Sequence, residues 1–410
     1  MTQAAPKAIA VAKVLDSVMR SDRGRLLAAL VAGLRNLNLA EEALQEAAVS
    51  ALSHWGRSGM PTSPHAWLIT VARRKALDRL RGTSRESQKA RALSLLIEQE
   101  EAEPEDIPDE RLRLIFACCH PALEMKSRVA LTLRTVCGLT TPEIARVFLD
   151  QETTMGQRLS RAKTKIAAAG IRFEVPDAES WPARLDAVLT TVYLIFTTGY
   201  VAGPDGERDL CQEAEYLMRL INQLRPGDAE IEGALAMILL TGARRAARIG
   251  DHGASLPPTE QNRSLWDHAK IGEGRALLAA AMVRHKPGPF QIKAAIADCQ
   301  MADPKPDWPQ IALLYQALLR HEPTPVVMLN AAVAVAEAGE PVPALDVVEG
   351  LASDLANFQP WHAARAALLA MTGNRSEAAA AYRCAIAMAP SPAEARFLEQ
   401  RLAALHGDAG

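Results

Sequence analysis

Apolar side chains recur along most of this chain at intervals of three and four, the spacing that lines one face of an α-helix. Within residues 10–52 two such stripes stand out. One runs through Leu26, Leu27, Leu30, Val31 and Leu34, the other through Ala43, Leu44, Ala47, Ala48 and Leu52. Gly and Pro then crowd residues 56–64, where they forbid regular structure. A helix is expected to restart near His65 and run to about Arg81. A second helical unit is expected over 109–171, and FEVPDAESWP at 173–182 marks another boundary. Beyond it the chain is Ala-rich and helical, broken by Gly/Pro loops at 203–206, 250–258, 286–289 and 303–309. The pattern predicts an all-α protein.

The sharpest local pattern lies at 125–168. It parses as helix, turn, short helix, turn, helix. Gly138 ends the first helix in the manner of a C-terminal cap. Thr140 or Thr141 opens the second, with Pro142 in its first turn and Glu143 close behind. Ile144, Ala145 and Phe148 are expected to face inward. Glu152-Thr153-Thr154 opens the third helix, whose buried stripe is Met155, Leu159, Ala162 and Ile166. That stripe leaves Thr154, Gln157, Arg158, Arg161 and Lys165 largely on other faces. A DNA-recognition helix has this layout: one side packs, polar residues near its start reach base edges, and basic residues meet phosphates. Arg and Gln suit the edges of guanine and adenine.

The segment PHAWLITVARRKALDRLRGTSR at 64–85 adds a second cationic helix. Its start is apolar at Trp67, Leu68 and Val71, and its end carries Arg73, Arg74, Lys75, Arg79, Arg81 and Arg85 against the single acid Asp78. Such a helix can seat one face in a core and offer the other to a phosphate backbone. Trp67 has apolar neighbours and reads as a core residue.

Charge changes the picture. The net charge of −2 hides an asymmetry, because residues 1–174 sum to +6 and the remainder to −8. Eight acids and no base lie between Glu98 and Glu110, so the rest of the N-terminal part is strongly basic. That half calls for an anionic partner. Aromatics make up only 4% of the chain, which favours helices over strands. No apolar run approaches the roughly 20 residues of a membrane span, and the start lacks a signal-peptide pattern. The six cysteines form no CxxC pair, so a reducing cytoplasm is the expected compartment. Cys118-Cys119-His120 reads as core packing rather than a metal or redox site, since adjacent helix positions point about 100° apart. No catalytic motif, metal site or cofactor site is expected.

The C-terminal part repeats. Gly339 and Gly373, Ala344 and Ala378, and Val348 and Tyr382 are each 34 residues apart, while Tyr315/Tyr382 and Pro323/Pro390 are 67 apart. A 34-residue helix–turn–helix unit is the tetratricopeptide period.

Taken in order, these segments resemble the extracytoplasmic-function sigma factors of bacterial RNA polymerase. Residues 23–81 resemble region two, and 109–171 resemble region four. DERLRLIFACCHPAL, LTTPEIARVFL, WPARLDAVLTTVYLIFTTGY, DWPQIALLYQALL and YRCAIAMAP resemble the subgroup whose sigma core carries a tetratricopeptide-like extension. In one departure, Thr197-Thr198 stands before Gly199-Tyr200 where that subgroup has Asn-Glu, a position read as a loop. The resulting layout is 1–85 as region two, 86–108 as an acidic linker in which the residues allow a short helix near 91–101, 109–174 as region four, and 175–410 as the helical extension. The resemblance further implies that Glu41, Glu42, Gln45 and Glu46 dock on core RNA polymerase. Arg57, Ser58 and Ser63, with Arg73, Arg74, Lys75, Arg79 and Arg81, would hold the downstream promoter element as it opens. Thr153, Thr154, Gln157, Arg158, Arg161 and Lys165 would read the upstream element near minus thirty-five. The acidic charge of the extension, and the concave groove that stacked helix pairs make, suit it to contact a regulatory protein. Two other readings remain open on the residues alone: a stand-alone helix-turn-helix regulator with a C-terminal sensor or dimerisation domain, and a tetratricopeptide scaffold.

Overall fold

A computed structural model describes residues 4–83, 110–148, 150–202, 209–250 and 252–407. The linker, its expected short helix, Arg85 and the 203–206 loop lie outside the described residues. Every regular element among the described residues is helical, the sole β feature being an isolated bridge between Ile249 and Ser255. No described helix is long and apolar enough to cross a membrane. The chain packs into two compact units, residues 1–194 and 195–410.

The first unit begins with α1 (Ala4–Ser21), α2 (Arg23–Leu34), α3 (Leu37–Ser58) and α4 (Pro64–Thr83). The α2–α3 break is a local event. Arg35 turns left-handed at φ 50°, and the Asn36 side chain accepts a hydrogen bond from the Leu39 amide to cap α3. The α2 stripe is buried as expected, with Leu26, Leu27, Leu30, Val31 and Leu34 inside. On α3 the buried line runs Ala40, Ala43, Leu44, Ala47, Ala51 and Trp55. Ala48 is half-buried and Leu52 is 49% exposed, so the core stripe follows Ala51 and Trp55, not the expected Leu52. Gly59, at φ 87°, ends the helix, and Ser63 caps α4 by accepting from the Ala66 amide.

Four further helices follow: α5 (Arg111–Cys118), α6 (Met125–Thr135), α7 (Thr141–Val147) and α8 (Glu152–Ala168). Gly138 takes φ 76° in the α6–α7 turn, two residues past the helix cap. Thr140 and Glu143 form a reciprocal capping box with Pro142 in the first turn. Ile144 and Ala145 are buried and Phe148 half-buried. All four expected stripe residues of α8 are buried, none more than 4% exposed. Cys118 and Cys119 are enclosed, their sulfurs lying 3.1 Å from Thr135 Oγ1 and 3.4 Å from Thr132 Oγ1. Burial pushes both thiols up, so neither is a ready thiolate.

Helix α9 (Trp181–Ala202) starts in the first unit, where Trp181 packs on Phe116 and Arg184 donates to the Phe116 carbonyl at 2.8 Å. The division between the units thus falls inside this helix, beyond residue 175. Thr197 and Thr198 lie within α9 and not in a loop. Gly199 is forced: a Cβ there would sit 2.7 Å from Leu210.

The second unit continues with α10 (Leu210–Leu224), α11 (Ala229–Gly242), α12 (His268–Met282) and α13 (Pro289–Cys299). Helix α11 is largely apolar and buried without a break from Ile231 to Leu240, with Glu232 paired to Arg284, the mark of a central helix. Gly233 and Gly274 allow close crossings, against Gln291 and Leu240. Asp209, Asp228, Asp267 and Asp307 each cap a helix, so part of the acidity of this unit is structural.

Helical hairpins complete it. They are α14 (Trp308–Leu319), α15 (Pro325–Glu337), α16 (Pro341–Gly350), the short α17 (Ala352–Leu355), α18 (Gln359–Met371), α19 (Arg375–Ala387) and α20 (Pro392–Gly407). Gly339 and Gly373, 34 residues apart, take φ 112° and 83° at the α15–α16 and α18–α19 turns. The array returns on its own unit. Ser255 donates its amide to the Ala393 carbonyl at 3.0 Å, Arg396 donates to the Gly253 carbonyl, and Arg401 pairs with Glu260.

Candidate nucleic-acid and polymerase interface

On α8 the open face follows from the buried one. With Met155, Leu159, Ala162 and Ile166 inside, Thr153, Gln157, Arg161 and Lys165 form an exposed line at a spacing of four, and Thr154 is exposed beside it. Arg158 differs. Its guanidinium is fastened between Asp150 at 3.4 Å and Glu124 at 3.7 Å, leaving the side chain 21% exposed. The expected reading residues therefore separate into five open positions and one held position.

The downstream set divides in the same way. Arg57 and Ser58 are exposed at the end of α3, with Arg57 donating to the Ser53 carbonyl. Ser63 is exposed and caps α4. Arg74 is exposed, while Arg73 and Lys75 are half-buried. Arg79 spans from α4 to α3, where it pairs with both Glu42 and Glu46. Arg81 lies on the same helix, its side chain outside the described residues. Trp67 is half-buried, stacked on His54 with ring centres 5.5 Å apart and edge-on to Trp55 at 5.4 Å.

The expected docking residues on α3 behave least as the sequence suggests. Gln45 and Glu42 are exposed and Glu46 half-buried. Glu41 is buried, with its side chain 7% exposed. One carboxylate oxygen accepts from Arg23 of α2 at 3.0 Å and the other from Lys163 of α8. Burial holds the Arg23 guanidinium below its ordinary range, and Glu41 opposes that shift. Sequence reading named neither Arg23 nor Lys163. It also missed Val49, 69% exposed, which extends the outer face of α3 beside Leu52.

Comparison with known proteins finds family matches in both N-terminal helical regions. The chain matches sigma-70 region 2 over residues 19–86 and sigma-70 region 4 over 113–166. Residues 184–282 match a family of unknown function. An uncharacterized protein of Rhizobium meliloti (strain 1021) is 43% identical over 401 residues, covering 95% of each chain. No solved structure matches. With region 2 and region 4 in order on helical domains, followed by a helical C-terminal unit, the chain belongs to the extracytoplasmic-function sigma factors that carry a C-terminal extension, binding core RNA polymerase and promoter DNA to start transcription.

Proposed function

We propose that this sigma factor docks on polymerase through the outer face of α3, with Glu42, Gln45 and Glu46 in contact and Glu41 beneath them. Arg57, Ser58 and Ser63, with the α4 cations Arg73, Arg74, Lys75, Arg79 and Arg81, hold the downstream element. The upstream element is read by Thr153, Thr154, Gln157, Arg158, Arg161 and Lys165. The observation that carries this reading is the exposed line from Thr153 to Lys165 opposite a fully buried stripe. Polar residues at the start of that line can reach base edges, and its cations can neutralise phosphates further along. The chain acts in the cytoplasm by recruitment, not catalysis. Core polymerase plus this protein should yield promoter-specific transcripts in vitro. Duplex promoter binding with no transcription would instead mark a stand-alone regulator.

The extension is proposed as a regulatory protein-contact module, acting on the sigma core or on a separate protein. Its net charge of −8 disfavours DNA, because phosphates repel an acidic surface. Its truncation point is set by α9: a cut at 175 would strip Trp181 from Phe116, whereas removing 203–410 keeps that contact. Transcription by this truncated form should fall strongly. Unchanged transcription at equal concentration would rule out a regulatory role for the extension.

A further inference from the structure

An arginine keeps its charge even when buried, so a buried guanidinium calls for a counter-charge. Two arginines are buried among the described residues, Arg23 and Arg244. Arg23 has its carboxylate in Glu41. Arg244, 4% exposed, pairs with no carboxylate among the described residues. Its Nη2 donates to Gln300 Oε1 at 2.9 Å, a neutral acceptor, and its Nε is buried without a partner. Burial pushes this guanidinium below its ordinary range, and Tyr200 opposes that shift.

More cations come from the same turn. After α11 the chain makes a short 3₁₀ turn, Arg245–Ala247, flanked by Arg244 and Arg248. Arg248 lies over the Tyr200 ring of α9 at 4.5 Å and donates to the Tyr200 carbonyl. Arg245 pairs with one oxygen of Asp209, whose other oxygen already caps α10. Arg245 Nη2 is buried without a partner. Asp209 thus compensates one cation of the three. Arg248, like Arg244, has no carboxylate partner among the described residues, so two positive charges are left over in a part of the chain whose net charge is −8. Arg245 and Arg248 are half-buried, so the cluster runs from the interior to the surface.

We propose that Arg244, Arg245 and Arg248, with Tyr200, form a site for a phosphate group, free or carried on a small phosphorylated molecule. Guanidinium forks match the oxygens of both phosphates and carboxylates. The charge decides between them. A phosphate carries about −1.5 to −2 near neutral pH, which matches the two uncompensated cations, whereas a carboxylate leaves one of them unpaired. Arg244 Nε and Arg245 Nη2 offer two buried donors, and the edge of Arg248, stacked on Tyr200, offers a third. Occupancy braces α9 through Tyr200, the end of α11 through the arginines, and the end of α13 through Gln300. The site lies within the residues that match the family of unknown function, and it stands independently of the promoter and polymerase contacts.

The test titrates the full chain in phosphate-free buffer with inorganic phosphate and with glycerol phosphate, sodium chloride holding the ionic strength constant. Calorimetry should find one site per chain, and saturating phosphate should raise the melting temperature by more than about 2 °C. Tighter binding of glycerol phosphate assigns the site to a phosphorylated small molecule, and tighter binding of inorganic phosphate assigns it to the free ion. Arg244→Met should abolish phosphate binding. Because it removes an uncompensated buried charge, it should melt no lower than the wild type in phosphate-free buffer. Arg248→Gln, at a half-buried position, should weaken phosphate binding about tenfold, and it decides the matter if Arg244→Met does not fold. Three results overturn the proposal: no phosphate binding by the wild type, an equal thermal shift from chloride alone, or wild-type phosphate affinity in Arg248→Gln. A guanidinium already satisfied by the fold predicts the first of these together with a lower melting temperature for Arg244→Met.

Discussion

Along α8, Thr153, Gln157, Arg161 and Lys165 point away from their core, and among the described residues no carboxylate pairs with Arg161 or Lys165. Along α3, each of the three carboxylates proposed for docking is already engaged, Glu41 by Arg23 and Lys163, and Glu42 and Glu46 by Arg79. Both faces are amphipathic helix surfaces of the same unit, yet one stands ready and the other is occupied. A surface that must meet phosphate gains nothing from internal acids, which would compete with DNA. A surface proposed to dock a large protein can keep internal ion pairs, because the partner's cations can replace the ones it releases.

The largest expected effect falls on the buried end of this contrast. Glu41→Lys places a third cation against Arg23 and Lys163 in a site 7% exposed. Breaking a buried ion pair from one side costs about 3–5 kcal/mol, because the remaining charge is left uncompensated. Thermal unfolding should show a drop of that size. A change below about 1 kcal/mol would mean that Glu41 is far better solvated than its packing implies.

On α8 the held and open arginines should part company. Arg161→Ala and Lys165→Ala should weaken binding to all duplexes alike, with the salt slope falling by about one per cation removed. Arg158 is oriented by Asp150 and Glu124, so Arg158→Ala should cost about 1–3 kcal/mol on the preferred sequence and little on others. Binding of the full chain with core polymerase to a promoter panel measures this. Equal loss on every sequence for Arg158→Ala would remove base reading from that position.

Exposed pairs carry less. Glu42→Lys with Glu46→Lys frees Arg79 but breaks pairs in which all side chains are at least a third exposed. The stability cost should stay within about 0–1 kcal/mol, while core-polymerase association is lost. Wild-type association in this double variant would move the docking face elsewhere.

What the sequence revealed tracks the range of the forces involved. The start of α7 at Thr140 or Thr141, the Gly138 turn and the α8 stripe are all decided within four or five residues and were legible, while the structure puts the cap on Thr140. Arg158 looked like its neighbours because nothing local marks Glu124 as its partner. Glu41 looked like a surface acid because Lys163 is 122 residues away. The return of α20 to the 253–260 loop joins residues more than 140 apart, which a 34-residue repeat pattern cannot announce. Local periodicity fixes which face is buried, whereas long-range ion pairs decide which exposed charges remain available.

Leu52 gives the finest version of the comparison. By spacing alone it belongs to the α3 core, yet Ala51 and Trp55 fill that line and Leu52 stands 49% exposed with Val49 at 69%. Val49 also borders the shallow cleft formed by Glu42, Glu46 and Arg79. An apolar pair beside an acidic rim is what a protein interface uses at its centre, where burial on binding replaces water. Leu52→Ser with Val49→Ser should therefore change unfolding free energy by no more than about 0.5 kcal/mol, as expected for surface positions. Core-polymerase affinity should nonetheless fall, by about 1–3 kcal/mol if both side chains become buried on docking. Chemical denaturation and a core-binding titration on the same preparation separate the two. A large stability loss with unchanged affinity would return Leu52 to the core, where its spacing first placed it.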